Sequence, residues 1–481
     1  MSSAILYSMQ RRTFIKAAAA AALGSGMPAL ESAPGPDNAP RRITIAEGRC
    51  NLELVRRKGA FGFKGHSTAN PLGSWHVASM LRSTSGKHGI GLANEGCMWS
   101  DAAVTLANGG NSVNAMMYVI TRRALKLAEG KSFTTPPELL DQIYPEVYDF
   151  AKYVTGAPGL RATFALNALV SVDFAAWVLY ARENGITSFD AMVPPEYKAA
   201  LAARHPKAAA IPLAQYSMPV EDVARLVDDG YFFMKIKIGQ GGTQEEMLAK
   251  DCARASALHA ALKDRRTPYT ASGRIPYYFD ANGRYEKKET LLRFLDHLKR
   301  IGALDQVAII EEPFDEMNRV DVSDIPVRLA SDEAAHTPED AKERIEMGYA
   351  AMALKPIAKT LSVSMRVAEV ARRRNVPCFC ADLTVSPVNV EWNKAVAARL
   401  AAFPGMGDMG LVESNGHQNY SDWEIMRRDL PYPDAPWTRV RRGVFELDED
   451  YWSKSGGVLA PLPRHEALFG LAASHPPKPP R

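Results

Sequence analysis

From Ile211 onward the chain repeats one local pattern, a short apolar run followed by a stretch whose apolar positions recur at helical spacing. The runs read IPLAQY, FFMKIKI, YYFDAN, VAIIEEP, VRLASDE, AAMALKP, VPCFCAD and MGLVES. Short continuous apolar runs alternating with helical segments predict parallel strands buried on both faces. Helices are expected over 245–262, 290–300 and 364–374. HTPEDAKERIEMG carries its own boundaries, with Thr337 as N-cap, Pro338 at the first helical position, acids in the first turn and Gly348 closing the helix. Eight such units predict a closed (β/α)8-type barrel, although an open parallel sheet shares the local pattern.

The region before the barrel has a different grammar. HVASMLRSTSGKHGIGLANEG alternates and turns at Ser85, Gly86 and Lys87, which predicts a hairpin. LNALVSVDFAAWVLYARENGI keeps helical spacing and stops near Asn184 and Gly185, a C-cap signal. This reads as an α+β unit over 42–205 ahead of a barrel over 206–430. The segment 431–481 adds no strand-helix unit and is expected to fold back on the first region.

At 481 residues and 46% hydrophobic, the chain can bury a large core. Its net charge of +4 is small, and its basic residues are scattered, which gives nucleic-acid binding no support. Cys50, Cys97, Cys252, Cys378 and Cys380 lack zinc-ligand spacing and are expected to serve as small core residues rather than a disulfide frame. Residues 1–33 stand apart. MQRRTFIKAAAAAALGSGM pairs Arg11 with Arg12 ahead of an alanine-rich stretch too short and too weakly apolar to stay in a bilayer. It resembles a twin-arginine export signal, with Met9 an alternative start and a Pro-rich linker after it. The expected location is the periplasm, or the cytoplasm if the signal is not used, without stable membrane insertion.

The chemistry lies at the strand ends. Strand side chains alternate, so Lys235 and Lys237 share one face of FFMKIKI. The following runs end in Asp280 and Asn282, Glu311 and Glu312, Asp332 and Glu333, and Lys355. Parallel strands present their C-terminal ends at one rim, where barrels hold their sites. Carboxylates converging there repel one another unless a cation lies between them. Oxygen ligands without His or Cys favour a hard divalent ion, and few protein ligands suit Mg2+ better than Ca2+. An ion network between these acids and the lysines is the alternative, but it leaves an excess of acid.

The order KxK, DxN, EEP, DE and a single K at successive strand ends resembles the enolase superfamily, in the muconate-lactonizing branch of its mandelate racemase/muconate lactonizing enzyme family. The resemblance implies a modified TIM barrel with an α+β N-terminal capping domain. It implies Asp280, Glu311 and Asp332 as Mg2+ ligands, with Asn282, Glu312 and Glu333 behind them. It implies Lys237 as a base on one face of the substrate and Lys355 as acid or base on the other. A lysine acting as base must be neutral, and a cationic neighbour favours that form, which is the role expected of Lys235. Glu413, on the eighth run, and His66, in the lid stretch FGFKGHSTANP, are candidates for substrate contact. No histidine ends the seventh run, and PIAKTLS after Lys355 lacks the glycine-rich turn of many relatives.

The implied activity is Mg2+-dependent abstraction of a proton α to a carboxylate through an enolate, by a racemase, epimerase or cycloisomerase. The substrate would be a small-molecule carboxylate, and relatives commonly form homo-oligomers. Dehydration of an acid sugar or hydroxy acid is the near alternative. A Schiff-base aldolase and an exported, non-catalytic carboxylate-binding protein are more remote.

Overall fold

The computed structural model describes residues 40–59, 61–64, 66–68 and 74–471. The export-type segment, with Arg11 and Arg12, lies outside the described residues.

All eight apolar runs form strands. The first is split by Pro212 into Lys207–Ile211 and Leu213–Ala214. Proline has no N–H for the ladder, and the two halves serve different neighbours. Lys207–Ile211 pairs with the eighth strand, Gly410–Glu413, while Leu213–Ala214 pairs with the second, Met234–Lys237, so one interrupted strand closes the barrel. The strands between are Tyr277–Asp280, Val307–Glu311, Leu329–Ser331, Ala351–Leu354 and Cys378–Cys380, each parallel to the next.

The expected helices appear as Gln244–Leu262, Lys288–Arg300 and Leu361–Arg373. Pro338–Glu346 begins with a capping box, in which the Thr337 side chain accepts from the Asp340 amide and the Asp340 carboxylate accepts from the Thr337 amide. The repeat is incomplete at two places. Residues 312–328, which link the fourth and fifth strands, hold no helix, since Pro313 and Pro326 bracket a stretch without helical apolar spacing. After the eighth strand come only the short helices Gly416–Asn419 and Trp423–Met426.

The first region is an antiparallel sheet of Ile43–Val55, Ser74–Ser83 and His88–Asn94, with Ser132–Phe133 at its edge, backed by helices. The expected hairpin turns at Gly86, φ +91°. Helix Ala162–Asn184 is apolar all round and lies at the centre of this region. Gly89 and Gly91 let the sheet approach it, because a Cβ there would meet Ala175 O at 2.1 Å and Ser171 O at 2.2 Å. The helix is long and apolar enough to cross a membrane, but 94% of its most apolar window is buried inside the protein. It ends at Gly185, φ +65°, where the sequence places the cap.

The cap is tied to the barrel through named hydrogen bonds. Asp173 on the long helix accepts from the amides of Leu361 at 2.9 Å and Ser362 at 3.1 Å. Asn389 donates to Leu92 O at 2.7 Å. In the C-terminal segment, Val444–Glu446 pairs with the first barrel strand, and helix Pro463–Leu468 meets the cap, where Asn51 donates to Leu468 O. The five cysteines are free.

Candidate active site

Register brings the charged strand ends abreast. Lys237 pairs with Asp280, Asp280 with Glu311, and Glu311 with Ala330, so the residues from three strands lie in one row, and Asp332 follows two positions beyond Ala330. Residues abreast in parallel strands point to the same face. Lys235, Lys237, Asp280, Glu311, Asp332 and Lys355 are all buried. The chain leaves two of these strands in the left-handed region, at Asn282 with φ +45° and Glu312 with φ +38°. Such a conformation costs a glutamate about 1–3 kcal/mol and is typical of functional sites. Here it turns the Glu312 carboxylate to accept the Asp332 amide at 2.5 Å.

The lysines and acids form a continuous network. Lys235 Nζ reaches Asp280 at 3.0 Å, Glu311 at 2.9 Å and Glu413 at 3.2 Å. Burial opposes its charge, but these acids outweigh burial and hold its pKa well above the ordinary value. Lys235 is therefore firmly charged, and it bridges three carboxylates besides neighbouring Lys237. Lys237 Nζ lies 2.7 Å from Asp280 Oδ2 and 2.5 Å from Asn282 Oδ1. Across the barrel, Lys355 pairs with Asp332, which outweighs burial and raises the lysine's pKa.

Acids remain in excess. Among the described residues, Asp280, Glu311, Glu312, Asp332, Glu333, Asp382 and Glu413 face the ammonium groups of Lys235, Lys237, Lys355 and Lys359, with the guanidiniums of Arg344 and Arg161 near Glu312 and Glu333, seven carboxyl groups against six cationic side chains. Burial pushes Glu311 and Glu312 up to about 8, the state expected of carboxyls short of cationic charge. Among the described residues, Glu311, Asp332 and Glu333 offer oxygens within 4.8 Å of one another. Asp332 Oδ1, Glu312 Oε1 and Glu333 Oε2 accept no hydrogen bond among the described residues, and the ammonium of Lys359 stands 3.5 Å from Asp332 Oδ1. An all-oxygen set with unpartnered atoms and excess negative charge fits a hard divalent cation. The three-acid group differs from the implied ligand set in one member. Asp280 is held by both second-strand lysines, and Glu333, expected behind the ligands, offers an oxygen within the same 4.8 Å group. Asn282 links the two by donating to Glu333 at 3.0 Å.

Glu413 turns inward and accepts from the Asp382 amide at 2.8 Å in addition to pairing with Lys235. His66 opens the short strand His66–Thr68, opposite Phe63, and its side chain lies outside the described atoms. The sequence reading missed three residues. Lys359, four residues after Lys355, donates to the main-chain oxygens of Asp332 at 2.7 Å and Ala335 at 3.2 Å, and so holds the turn that carries Asp332. Its signal was the i,i+4 spacing. Asp382 ends the seventh run, and burial together with Glu413 pushes it up to about 7. Trp99 comes from the cap and lies over Lys355 at 4.3 Å. Nothing in the sequence around Trp99 points to Lys355.

Residues 219–436 match the enolase C-terminal domain-like family. Over these residues the barrel is similar to the C-terminal domain of the enolase superfamily. The (β/α)8-type barrel with an α+β capping region is likewise the architecture of its structural relatives. A dipeptide epimerase from Enterococcus faecalis V583, solved with Mg and L-Leu-L-Tyr, is 12% identical with a TM-score of 0.53, over 79% of this chain and 92% of that one. The L-Ala-D/L-Glu epimerase from Bacillus subtilis is 14% identical with a TM-score of 0.56, over 79% and 91%. The 2-chloromuconate cycloisomerase from Rhodococcus opacus 1CP is 18% identical with a TM-score of 0.55, over 84% and 94%. No curated protein matches the chain by sequence. Within this barrel, the rim holds lysines at the ends of the second and sixth strands and no histidine on the seventh, Cys378–Cys380.

Proposed function

We propose that this protein is a Mg2+-dependent isomerase that removes a proton α to a carboxylate and returns it, as a racemase, epimerase or cycloisomerase. The observation that carries the reading is the placement of two lysines around one acid cluster. Lys237 ends the second strand and Lys355 follows the sixth, and in a closed eight-stranded barrel those strands lie across from each other. Glu311 ends the fourth strand and Asp332 and Glu333 follow the fifth, strands that lie in the sheet order between the second and the sixth.

Glu311 and Asp332, with Glu333 or Asp280, would hold Mg2+, which would lend positive charge to the substrate carboxylate and make the α-proton more acidic. In one direction, Lys237 in its neutral form accepts the α-proton, and Asn282 Oδ1 orients its Nζ. Lys355, kept charged by Asp332, donates a proton to the opposite face. The reverse direction exchanges the two roles. Lys235 remains charged throughout and holds Asp280, Glu311 and Glu413 in place. The named activities of the structural relatives, epimerases and a cycloisomerase, support the same class.

The test is deuterium exchange at the α-carbon, run in deuterium oxide with Mg2+ against a library of dipeptides, amino-acid derivatives and acid sugars. Wild type is expected to exchange at least one member, EDTA to stop the exchange, and Lys237→Ala to lose it from one enantiomer. Exchange unaffected by both treatments defeats the reading.

We also propose export, on the strength of Arg11, Arg12 and the alanine-rich stretch after them. Fused ahead of a reporter, residues 1–40 should carry it out of the cytoplasm, and changing both arginines to lysine should stop it. Unchanged export would remove the twin-arginine assignment.

A further inference from the structure

Trp99 belongs to the cap, yet its ring lies 4.3 Å from Lys355 Nζ, measured to the ring centroid. The residue is 4% exposed, and its Nε1–H has no acceptor among the described residues. Native proteins leave few buried donors unmatched, and one beside a reaction centre is ready for an acceptor that arrives with the ligand.

The indole is also held in place from several sides. It sits in the four-residue helix Cys97–Ser100. Asn167, on the long cap helix, accepts from the Gly96 amide at 2.8 Å and donates to Asn94 O at 3.2 Å. Thr163 donates to Ser100 O at 2.6 Å. On the barrel side, Leu383 fills the space beside Gly96, where a Cβ would come within 2.4 Å of it. A donor fixed in this way loses little freedom on binding.

We propose that Trp99 is a substrate-binding residue that sets specificity, its N–H donating to a neutral carbonyl oxygen on the substituent of the α-carbon. This rests on the proposed function, since it takes Lys355 as a proton-transfer group. The ring face is engaged by the Lys355 ammonium, which leaves the N–H edge for the ligand. A single neutral donor matches an amide or ester carbonyl, whereas a second carboxylate is better met by a guanidinium or ammonium. The substrate class is therefore an N-acylated or peptide-like carboxylic acid.

The experiment measures α-deuterium exchange by the Mg2+-loaded protein on N-acetyl amino acids and dipeptides, alongside matched free amino acids without the amide. Wild type should prefer the amide-bearing acids by tenfold or more in kcat/KM. Trp99→Phe keeps an aromatic face over Lys355 and removes the N–H. It should raise KM about tenfold for amide-bearing acids, change kcat less than about twofold, and leave the free amino acids unaffected. In wild type labelled with 15N at the indoles, the N–H signal that is missing from Trp99→Phe should move downfield when an amide-bearing acid is added. Equal turnover of both substrate sets, or an unchanged KM in Trp99→Phe, overturns the proposal and leaves the isomerase reading standing. Failure of wild type to exchange any amide-bearing acid while it exchanges others also overturns it. Failure to exchange any acid at all overturns the isomerase reading instead.

Discussion

Lys235 and Lys237 place their ammonium groups on one oxygen, Oδ2 of Asp280, at 3.0 and 2.7 Å. A single carboxylate therefore separates two buried amino groups. Breaking a buried ion pair from one side costs about 3–5 kcal/mol, because the charge left behind is uncompensated. Asp280→Asn should lower unfolding free energy by about that much in urea titrations, and adding Lys235→Met should recover part of the loss. Simple additivity of the two changes would show that the shared oxygen does not couple them.

Metal binding should be visible without any substrate. A ligand that binds only the folded state stabilises it by about 2.7 kcal/mol at one hundred times its Kd. Mg2+ is expected to raise the melting temperature of wild type, EDTA to reverse the rise, and Asp332→Asn or Glu311→Gln to abolish it. The same titration on Glu333→Gln decides whether Glu333 or Asp280 completes the set. A thermal midpoint indifferent to Mg2+ in wild type would count against the assigned site.

The two lysines should separate by enantiomer. With a substrate in hand, Lys237→Ala should lose α-exchange from one configuration and Lys355→Ala from the other, each by 10²-fold or more, the scale of a positioned general acid or base. NMR of each enantiomer in deuterium oxide gives the answer. Loss of both exchanges in either variant would mean that one lysine serves both faces.

At the seam between cap and barrel, Glu316 accepts from Arg161 at 2.9 Å and from His336 at 2.6 Å. Burial alone would raise its pKa, but His336, Arg161 and Lys64 outweigh burial and hold it at about 2 against an ordinary 4.5. A carboxyl lowered on folding contributes stability that is present above its unfolded pKa and lost as pH falls toward its folded one. About 3 kcal/mol should therefore disappear between roughly pH 5 and pH 2. Glu316→Gln should be less stable at pH 6 and should show a shallower acid loss in urea unfolding. A variant with the wild-type acid slope would assign that loss to other groups.

Gly91 gives a packing test far from the rim. Its missing Cβ leaves room for Ser171 O, 2.2 Å from where that carbon would lie. Gly91→Ala must push the sheet off helix Ala162–Asn184 and should cost about 1–3 kcal/mol, the usual range for overpacking. Unchanged stability would mean that the sheet shifts freely on the helix.

Much of this was legible in the chain because it depends on local periods. The period of two put Lys235 and Lys237 on one face, and Thr337 as N-cap with Pro338 after it announced its helix. The missing helix over 312–328 was less visible, since the strand count came out right without it and only Pro313 and Pro326 marked the gap. Lys359 was overlooked because the helical turn Pro356–Lys359, which swings that lysine inward, is not marked by any apolar period.

The sequence by itself determined that five successive strands end in charge, and parallel strands that share one rim must bring those charges together. Only the tertiary structure decided the partners. Register set Asp280 beside both lysines, the turn at Glu312 aimed a carboxylate at the Asp332 amide, and the docking of the cap laid Trp99 over Lys355. The physical reason is range. A strand's period dictates which face a side chain takes, while contact between segments distant in sequence depends on how whole elements pack.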